Sequence, residues 1–287
     1  MSQHPYMILT YSPSGFGKTV DCGYSFPRAL FLGMPQNLQS IKSVCGYTPA
    51  TMDIKTIQEA TQVIREAKDK GFDSIVVDDF SHLAEMTFVG LERIKDNRMK
   101  YAKLREITIE FRNAARYAGM HVIMNAWEQP PKTGTGTFVR GGPMLSGKLP
   151  EQLPAICDLV LRAGREPKRK PWSGVYQCEH SNEYIMKDLF NVCYHMHPCP
   201  MNLAEILRAC GVEIQRMEGL EWQEQVIEDF IVELEQANDF TTTVETLFGR
   251  LLEQQIDPKY ARWTIRDTLD RLVIRRALSN HRQSYFA

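Results

Sequence analysis

The sequence predicts an α/β fold with a mostly parallel sheet, followed by a C-terminal helical segment. Short apolar runs alternate with stretches of helical periodicity in the first part of the chain, as in strand–helix–strand units. The run at 74–77, Ser-Ile-Val-Val, has no polar alternation, which indicates a strand buried on both faces of a parallel sheet. From about Gly219 onward the pattern is polar and helical. We therefore expect an α/β core over residues 1–211 and a helical extension over residues 212–287.

The composition excludes several other classes of protein. The 287 residues are 43% hydrophobic and 24% charged, which is enough for a core and unlike a disordered chain. The net charge of −1 means that any nucleic-acid-binding surface must be local. No stretch approaches the roughly 18–20 apolar residues of a membrane span, and no signal-peptide pattern begins the chain. Seven scattered cysteines, an odd number, favour a reducing, cytoplasmic setting.

Short β-prone runs and two helical patterns define the expected core. Strands are expected at 6–11, 29–33, 74–77 and 121–125. One helix is expected over 54–70, with Gly71 ending it. A second helix carries apolar residues on one side, namely Leu104, Ile107, Phe111, Ala114 and Ala118. This alternation favours a parallel sheet with right-handed crossovers.

The pattern changes after Trp127. The stretch 130–147 is rich in Gly, Pro, Lys and Thr without periodicity, and we expect a long loop of functional importance. A group of three strands is expected at 156–163, 175–178 and 184–192. A short helix at 203–210 should end at Gly211.

The segment 12–19, Ser-Pro-Ser-Gly-Phe-Gly-Lys-Thr, occupies the frame of the phosphate-binding motif G-x-x-x-x-G-K-[ST]. This motif requires a strand, a tight loop whose N–H groups surround the phosphates, and a helix whose N-terminus faces them. Ser12 replaces the first glycine, which is a mild departure. The alternative is a chance Gly-Lys-Thr after a strand, which the patterns on both sides disfavour.

The motif assigns a role to each of its residues. We expect Lys18 to reach the β- and γ-phosphates of ATP and the Thr19 hydroxyl to coordinate Mg²⁺. The expected nucleotide contacts are Ser12, Ser14, Gly15, Phe16, Gly17, Lys18, Thr19 and Val20.

An acidic pair follows the apolar run at 74–77. An acid in this place holds Mg²⁺ through water in P-loop enzymes, so Asp78 is the second expected metal residue beside Thr19. Asp79 follows at once, and two carboxylates at a strand end indicate a crevice at the carboxyl edge of the sheet. The alternative is that Asp78 only caps the next turn.

Several segments in a fixed order carry a resemblance to a known family. Besides the P-loop and the acidic pair they are 122–128, 142–149, 157–160, 184–188 and 202–207. Over residues 5–211 the chain resembles the phage-encoded RecA-like P-loop ATPases that include the Sak-type single-strand annealing recombinases. The resemblance implies a RecA-like P-loop NTPase core that binds ATP with Mg²⁺. It also implies homo-oligomeric rings or filaments that act on single-stranded DNA.

The resemblance also identifies departures that concern catalysis. RecA-like enzymes carry a water-orienting glutamate after the second strand, where this chain has Gly-Met-Pro-Gln at 33–36. Asp79 is the first substitute and Glu128 the second. Asn125 is either a γ-phosphate sensor or an ordinary strand-end residue. The departures bear on the rate of hydrolysis more than on nucleotide binding.

Two more departures follow the core strands. Trp127 stands where histidine is common in that family, and Leu189 stands where arginine is common. Lys187 then becomes the candidate cation that reaches ATP on a neighbouring subunit. The candidate catalytic residues are therefore Lys18, Asp79, Glu128 and Lys187.

The loop at 131–140 is the first candidate for contact with DNA. Single-strand binding combines cations along the backbone with stacking aromatic rings, and Lys132, Phe138 and Arg140 supply both. A flexible surface hairpin is the alternative. A second basic and aromatic cluster, Lys168, Arg169, Lys170 and Trp172, is read as a solvated turn.

Sulfur and nitrogen ligands are grouped near the end of the core. Cys193, His195, His197 and Cys199 alternate and would share one face of an extended strand, with Cys178 and His180 on a nearby strand. Zinc is one interpretation. Buried thiols and ordinary polar packing are favoured over it, because ligands along one strand face spread too widely.

The helical tail reverses its charge along its length. The part from 218 to 253 is acidic, and basic residues follow, namely Lys259, Arg262, Arg266, Arg271, Arg275, Arg276 and Arg282. Arginines four apart share a helix face and repel unless they are neutralised. They either pair with the acidic helix, in the same or a neighbouring subunit, or face DNA phosphates.

Two functions therefore remain open. The first is an ATP-binding and ATP-hydrolysing phage protein of the host cytoplasm that acts on single-stranded DNA in recombination, annealing or replication. The second is a P-loop protein that uses ATP as a structural or regulatory switch in a phage assembly with little turnover. A small-molecule kinase is disfavoured, because no compact lid with several arginines follows the P-loop.

Overall fold

The computed structural model describes most of the chain. The described residues are 5–133, 138–166, 174–178, 181–196, 199–212, 214 and 222–286, excepting the side chains of 35 and 281–286.

Twelve strands lie in the described part of the chain. In chain order they are β1 (Met7–Ser12), β2 (Leu30–Leu32), β3 (Ala50–Met52), β4 (Ser74–Asp78), β5 (His121–Gln129), β6 (Lys132–Thr133), β7 (Phe138–Val139), β8 (Gly142–Pro143), β9 (Leu159–Arg165), β10 (Gly174–Gln177), β11 (Lys187–Asp188) and β12 (Cys199–Pro200).

Most of these strands form one sheet with a parallel centre. The order along the sheet is β12, β10, β9, β1, β5, β4, β2 and β3, and each neighbouring pair from β9 to β3 is parallel. β10, β11 and β12 join in antiparallel orientation. One strand, β5, separates the P-loop strand β1 from β4, the strand that ends in Asp78. The predicted α/β fold with a mostly parallel sheet and C-terminal helices is confirmed.

Ten α-helices lie in the described part of the chain. They are α1 (Lys18–Ser25), α2 (Gln39–Cys45), α3 (Ile57–Ala67), α4 (Phe80–Val89), α5 (Asn97–Ala118), α6 (Leu149–Ile156), α7 (Leu203–Ala209), α8 (Trp222–Gln236), α9 (Phe240–Glu253) and α10 (Pro258–Phe286). None of the helices in these described ranges combines the length and apolarity needed to cross a membrane.

Helices cover both faces of the sheet, which explains why its strands are apolar throughout. On one face Leu9 of β1 belongs to a buried cluster with residues of α3, α4, α5 and α6. On the other face Ile8 joins a cluster that includes residues of α1, α2, α7 and α10. A third cluster, among α8, α9 and α10, includes Leu272. Since Trp263 of α10 is in the second cluster, the helical extension packs directly on the core.

The predicted helix at 54–70 shows how local sequence sets its ends. Thr56 caps α3 by accepting the Glu59 N–H, and Glu59 accepts the Lys55 N–H in return. A 3₁₀ turn continues α3 to Lys70, and Gly71 ends it at a φ of 86°. The prediction is therefore confirmed to within a few residues.

The strand predicted at 184–192 is wrong over most of its length. Only Lys187 and Asp188 pair with β9. The Asp188 carboxylate accepts the N–H groups of Phe190 and Tyr194, at 3.0 and 3.1 Å, and these bonds turn the chain. A 3₁₀ turn at Cys193–His195 follows, so the predicted alternation of cysteine and histidine on one strand face is also wrong.

Two further predictions need correction after β5. The strand expected at 156–163 begins only at Leu159, because 149–156 form α6, which carries Pro150 in its first turn. The expected loop at 130–147 contains a short antiparallel hairpin, β6–β7, in which Thr133 pairs with Phe138. Residues 134–137 at its tip lie outside the described part of the chain.

Gly33, which follows β2, lies against the backbone at the end of β4. A Cβ atom at this position would lie 1.9 Å from the backbone carbonyl oxygen of Asp78. Since the obstacle is backbone in the adjacent parallel strand, it cannot rotate away as a side chain could. Only glycine fits there.

We predict that Gly33→Ala destabilises the protein by roughly 3 kcal/mol or prevents folding, as expected of overpacking against an immovable neighbour. Urea denaturation of the purified protein measures the change. The matched control is Gly249→Ala in α9, where a Cβ meets nothing within 4 Å. It should stabilise the helix by about 0.5–1 kcal/mol. Equal stability of Gly33→Ala and the natural protein would contradict the packing described for β2 and β4.

Candidate functional site

The P-loop connects the buried end of β1 to the first turn of α1. Gly15 and Gly17 have φ angles of 80° and 92°, which side chains other than glycine rarely adopt. Gly17 is the N-cap of α1, so Lys18 and Thr19 are the first two residues of that helix. The N-terminal N–H groups of α1 therefore face the loop, as an anion-binding site requires.

The Lys18 ammonium is bonded to the start of the same loop. Its Nζ donates to the Ser12 hydroxyl at 2.7 Å and to the Ser12 carbonyl at 3.2 Å. Burial lowers the pKa of Lys18, while the charges of Asp78 and Asp79 act in the opposite direction. Ser12, which stands at the position of the first glycine of the motif, thus supplies a partner for the ammonium.

Arg165, at the end of β9, supports the loop from outside. Its guanidinium donates to the Gly15 carbonyl at 2.7 Å and lies 5.5 Å from the centre of the Phe16 ring. Sequence reasoning did not identify this contact, because it depends on the pairing of β9 beside β1.

Asp78 and Asn125 lie side by side at the carboxyl edge of the sheet, where β4 and β5 pair in register. Asp78 is 5% exposed, and its Oδ2 has no hydrogen-bond partner among the described residues. The Asn125 Oδ1 accepts the Thr10 hydroxyl at 2.7 Å. Burial raises the pKa of Asp78, with Thr19 and Asn125 acting in the opposite direction.

Thr19 and Asp78 fit a magnesium ion. Mg²⁺ takes hard oxygen ligands, and these two residues provide a hydroxyl and a carboxylate that lie close together. The unpartnered Oδ2 of Asp78 is costly as it stands, because a buried polar atom without a partner loses its hydration. A bound cation would offset that cost.

A cleft of about 460 Å³ connects the P-loop to the acidic pair. Its lining residues are Ser14, Gly15, Phe16, Gly17, Lys18, Thr19, Val20, Asn37, Ser40, Asp78, Asp79 and Trp127. Ser12 and Asn125 are not part of the lining; the first binds Lys18 and the second lies beside Asp78.

Three lining residues were not predicted as nucleotide contacts: Asn37, Ser40 and Trp127. Asn37 lies in the 3₁₀ turn after β2 and Ser40 in α2. This is the region where RecA-like enzymes carry their glutamate, so the missing acid was a signal that could have directed attention there. Trp127 follows Asn125 on β5 and is 40% exposed.

Asp79 lies in the cleft and also begins α4. Its carboxylate accepts the His82 N–H at 2.6 Å and thereby caps the helix. Burial raises the pKa of Asp79, with the bond from His82 opposing the shift. The predicted base is thus at the site, with one of its oxygens engaged.

Glu128 and Lys187 are both engaged away from the cleft. The Glu128 carboxylate accepts two bonds from Arg162 of β9, at 2.9 and 3.1 Å. The Lys187 ammonium donates to the carbonyls of Ala155 and Cys157, at 3.1 and 2.6 Å, at the end of α6. Neither side chain lines the cleft, and their catalytic roles stay predictions.

The hairpin β6–β7 carries the candidate contacts to DNA. Lys132 and Phe138 are exposed on it, Phe138 by 49%. Arg140 donates to the carbonyls of Ser181 and Tyr184, at 2.9 and 2.6 Å, which ties the base of the hairpin to the segment before β11. The basic turn with Lys168, Arg169, Lys170 and Trp172 lies outside the described residues.

The seven cysteines form no disulfides, and six of them lie in or against the buried cluster that contains Ile8, whereas Cys157 lies in the cluster that contains Leu9. Hydrogen bonds from Cys178 and Cys199 lower the pKa of the Cys193 thiol to about 6. Among the described residues, no group of three or more Cys, His, Asp or Glu has the arrangement of a metal site. His180 and His197, which were also considered as ligands, lie outside them.

Part of the basic face of α10 pairs with acidic residues of the same chain. Arg271 binds both carboxylate oxygens of Glu205, at 2.9 and 3.0 Å, and also reaches Glu228 of α8 at 2.7 Å. Arg275 binds Glu228 at 2.6 Å. The interpretation of intramolecular neutralisation is thus correct for these two arginines.

We predict that Asp78→Asn makes the metal-free protein more stable at pH 7, by about 1–3 kcal/mol, because it removes a buried charge. Since burial raises its pKa, Asp78 binds a proton more readily when folded. Its contribution to stability is therefore fully present below the unfolded pKa of about 3.9 and declines as the pH rises toward the folded value. Urea denaturation with a chelator, at several pH values, measures this.

The control for Asp78→Asn is Asp239→Asn in the exposed cap of α9. Hydrogen bonds from Thr242 lower the pKa of Asp239, so this change should lower stability at pH 7 instead. A lower free energy of unfolding in Asp78→Asn would show that the buried Asp78 carboxylate does not destabilise the folded protein.

Comparisons with known proteins identify the family. The chain resembles a KaiC-like protein from the archaeon Pyrococcus horikoshii OT3, with a TM-score of 0.37 and 14% identity over 63% of this chain and 82% of that one. It also resembles the RadB recombinase, with a TM-score of 0.36 and 16% identity over 62% of this chain and 82% of that one. No curated protein matches the sequence. The model of the AAA domain matches residues 4–190. The chain belongs to the AAA domain family of P-loop ATPases.

Proposed function

We propose that the protein binds ATP with Mg²⁺ and acts on single-stranded DNA in recombination, annealing or replication. The finer proposal, a phage-encoded protein of the Sak type that works as a homo-oligomer in the host cytoplasm, rests on the resemblance of residues 5–211. The observation that carries nucleotide binding is the cleft that joins Lys18, Thr19 and Asp78 at one edge of the sheet.

In the proposed complex the P-loop N–H groups and Lys18 hold the phosphates of ATP. The Lys18 ammonium would exchange its bonds to Ser12 for bonds to phosphate oxygens, which are stronger acceptors because they are charged. Thr19 and Asp78 would hold Mg²⁺, which neutralises phosphate charge when bound. Trp127, which lines the cleft and pairs with Ser12 at the start of the P-loop, would limit the access of water.

Asp79 is the proposed residue for orienting the attacking water. It lies in the cleft, and burial raises its pKa toward the range in which a carboxylate is a better base. Its bond to His82 leaves the second carboxylate oxygen for water. Glu128 is the weaker candidate, because Arg162 occupies both of its oxygens.

The hairpin β6–β7 is the proposed contact with single-stranded DNA. Phe138 offers a ring for stacking and Lys132 a cation for a phosphate. Arg140 would act mainly by fixing the hairpin, because its guanidinium is bonded to two carbonyls. Lys187 keeps its proposed role toward a neighbouring subunit only if it gives up its bonds to the end of α6.

The hydrogen bonds of the Asp79 and Glu128 carboxylates favour a second function. Both candidate bases already make hydrogen bonds within the fold, because Asp79 caps α4 and Glu128 pairs with Arg162. Slow hydrolysis would let bound ATP serve as a structural or regulatory switch within an assembly. The two proposals share the nucleotide site and differ in turnover and in the response to DNA.

DNA-stimulated ATP hydrolysis separates the two functions. We predict measurable Mg²⁺-dependent phosphate release that single-stranded DNA accelerates, and its loss in Lys18→Ala, which removes the cation at the phosphates. If single-stranded DNA neither binds nor changes the rate, the proposed action on DNA is wrong. Tight ATP binding with negligible release would then support the switch.

We predict that Phe138→Ala weakens binding of single-stranded DNA by about 1–3 kcal/mol, the worth of one stacked base. Lys132→Ala should instead reduce the slope of log affinity against log salt by about 0.7, the effect of one phosphate contact. Fluorescence anisotropy of a labelled oligonucleotide measures both. Tyr117→Ala, on α5 outside the hairpin, is the aromatic control, at a position that is 90% exposed against 49% for Phe138. Equal losses of DNA affinity in Phe138→Ala and Tyr117→Ala would show that the hairpin is not a specific contact with single-stranded DNA.

A further inference from the structure

A buried arginine of the C-terminal helix α10 contacts the helix that begins with Lys18. The Arg266 guanidinium lies 3.3 Å from the Asp21 carboxylate of α1. It also donates to the Met201 carbonyl and lies 4.3 Å from the centre of the Tyr24 ring. Its side chain is 10% exposed, and that of Asp21 is 2% exposed. The two helices are thus joined by a desolvated ion pair.

Asp21 collects hydrogen bonds from several elements of the fold. Its Oδ2 accepts the Tyr176 hydroxyl of β10 at 2.7 Å and the Leu203 N–H at the start of α7 at 3.3 Å. Its Oδ1 accepts the Ser25 hydroxyl and Arg266, both at 3.3 Å. The carboxylate therefore fixes α1 relative to the sheet, α7 and α10 at the same time.

A second contact connects the same two helices one turn further on. The Tyr24 hydroxyl donates to the Trp263 carbonyl at 3.0 Å, and the two rings meet edge to face at 4.7 Å between centroids. With two contacts on successive turns, α10 restrains both the position and the rotation of α1.

Because α1 is short, a contact that holds Asp21 also holds the residues of the proposed nucleotide site. Asp21 lies in the same first turn as Lys18 and Thr19, so a shift of this turn moves all three. Asp21 is not part of the cleft lining, and Arg266 is not either. Both residues can therefore act on the cleft only through the placement of α1.

A buried ion pair of this kind is poor evidence for stability alone. Removing two charges from water costs several kcal/mol per ion, and apolar replacements are often as stable. Arg271, which is also buried among the described side chains of α10, binds Glu205 of α7 and Glu228 of α8 instead of α1. Substituting Arg266 therefore affects the contact with the P-loop helix, whereas substituting Arg271 affects only the packing of the extension.

We propose that Asp21 and Arg266 are positioning residues through which the C-terminal helices set the placement of α1, and with it the affinity for nucleotide. The part of this inference that concerns affinity rests on the proposed binding of ATP. The part that concerns the placement of α1 does not depend on it.

The experiment uses the full chain with four changes: Arg266→Met, Asp21→Asn, the two combined, and Arg271→Met as the matched control. Each variant is studied at a temperature at which it is folded, as judged by urea denaturation. Amide hydrogen exchange in 18–25 and the dissociation constant for Mg²⁺-ATP are measured. The first readout needs no nucleotide and the second does.

Arg266→Met should speed exchange in α1 and weaken nucleotide binding at least tenfold. Arg271→Met should lose stability without either effect. The combined variant is decisive, because it removes both charges of the Asp21–Arg266 pair. It should recover part of the stability lost in Arg266→Met, although Asp270, 3.6 Å from the Arg266 Nε, still loses a cation, and its affinity should stay at least tenfold weak. Normal exchange and affinity in the combined variant would overturn the proposal, as would equal effects of Arg271→Met.

A milder change keeps the test open if the charge variants fail to fold. Tyr24→Phe removes only the hydroxyl bonded to Trp263, and it should weaken nucleotide binding about twofold to fivefold with faster exchange in α1. Unchanged exchange in this variant would overturn the proposal. If the natural protein binds no nucleotide, the proposed function fails, and hydrogen exchange still decides whether α10 positions α1.

Discussion

The parallel pairing of β1, β5 and β4 is the constraint on which the rest of the site depends. Its register places Thr10 opposite Asn125 and Asn125 opposite Asp78, so polar side chains of three strands meet at one edge of a sheet that is otherwise apolar. Helices bury this edge on both faces, and one oxygen of Asp78 has no hydrogen-bond partner among the described residues. The P-loop lies over this point because β1 ends there. The proposed phosphate site and the proposed cation site therefore both depend on one strand register.

The same register explains why the P-loop helix needs support from elsewhere. α1 is short, and its first turn carries the side chains that would meet phosphate and metal, so its own hydrogen bonds hold it weakly. The support comes from Ser12 at one end, through Lys18, and from the buried group around Asp21 at the other. The C-terminal helices supply part of the second support through Arg266. The C-terminal helices are therefore packed against the core and contact it through buried side chains.

Sequence patterns revealed the features that are local and periodic. The P-loop, the strand ending in Asp78 and the helix that ends at Gly71 each have their determinants within a few residues, and each was located from the sequence. Contacts that depend on pairing between distant parts of the chain were not located from the sequence. Asn37 and Ser40 line the cleft because β2 lies beside β4. Arg266 was expected either to pair with the acidic helix or to face DNA phosphates, because its partner Asp21 lies 245 positions away in the sequence. The strand expected at 184–192 failed because Asp188 bonds its own backbone, a competition that apolar patterning does not show.

Lys18, Thr19 and Asp78 are proposed to form one site for a nucleotide and a divalent cation. Thermal denaturation with ATP alone, Mg²⁺ alone and both together tests it most directly, because a ligand that binds only the folded state stabilises it in proportion to its affinity. We expect a rise in melting temperature with both ligands that exceeds the sum of the separate rises, and loss of that excess in Thr19→Ala. Equal melting temperatures in the absence and presence of these ligands, or an excess that survives in Thr19→Ala, would show that these residues do not form such a site.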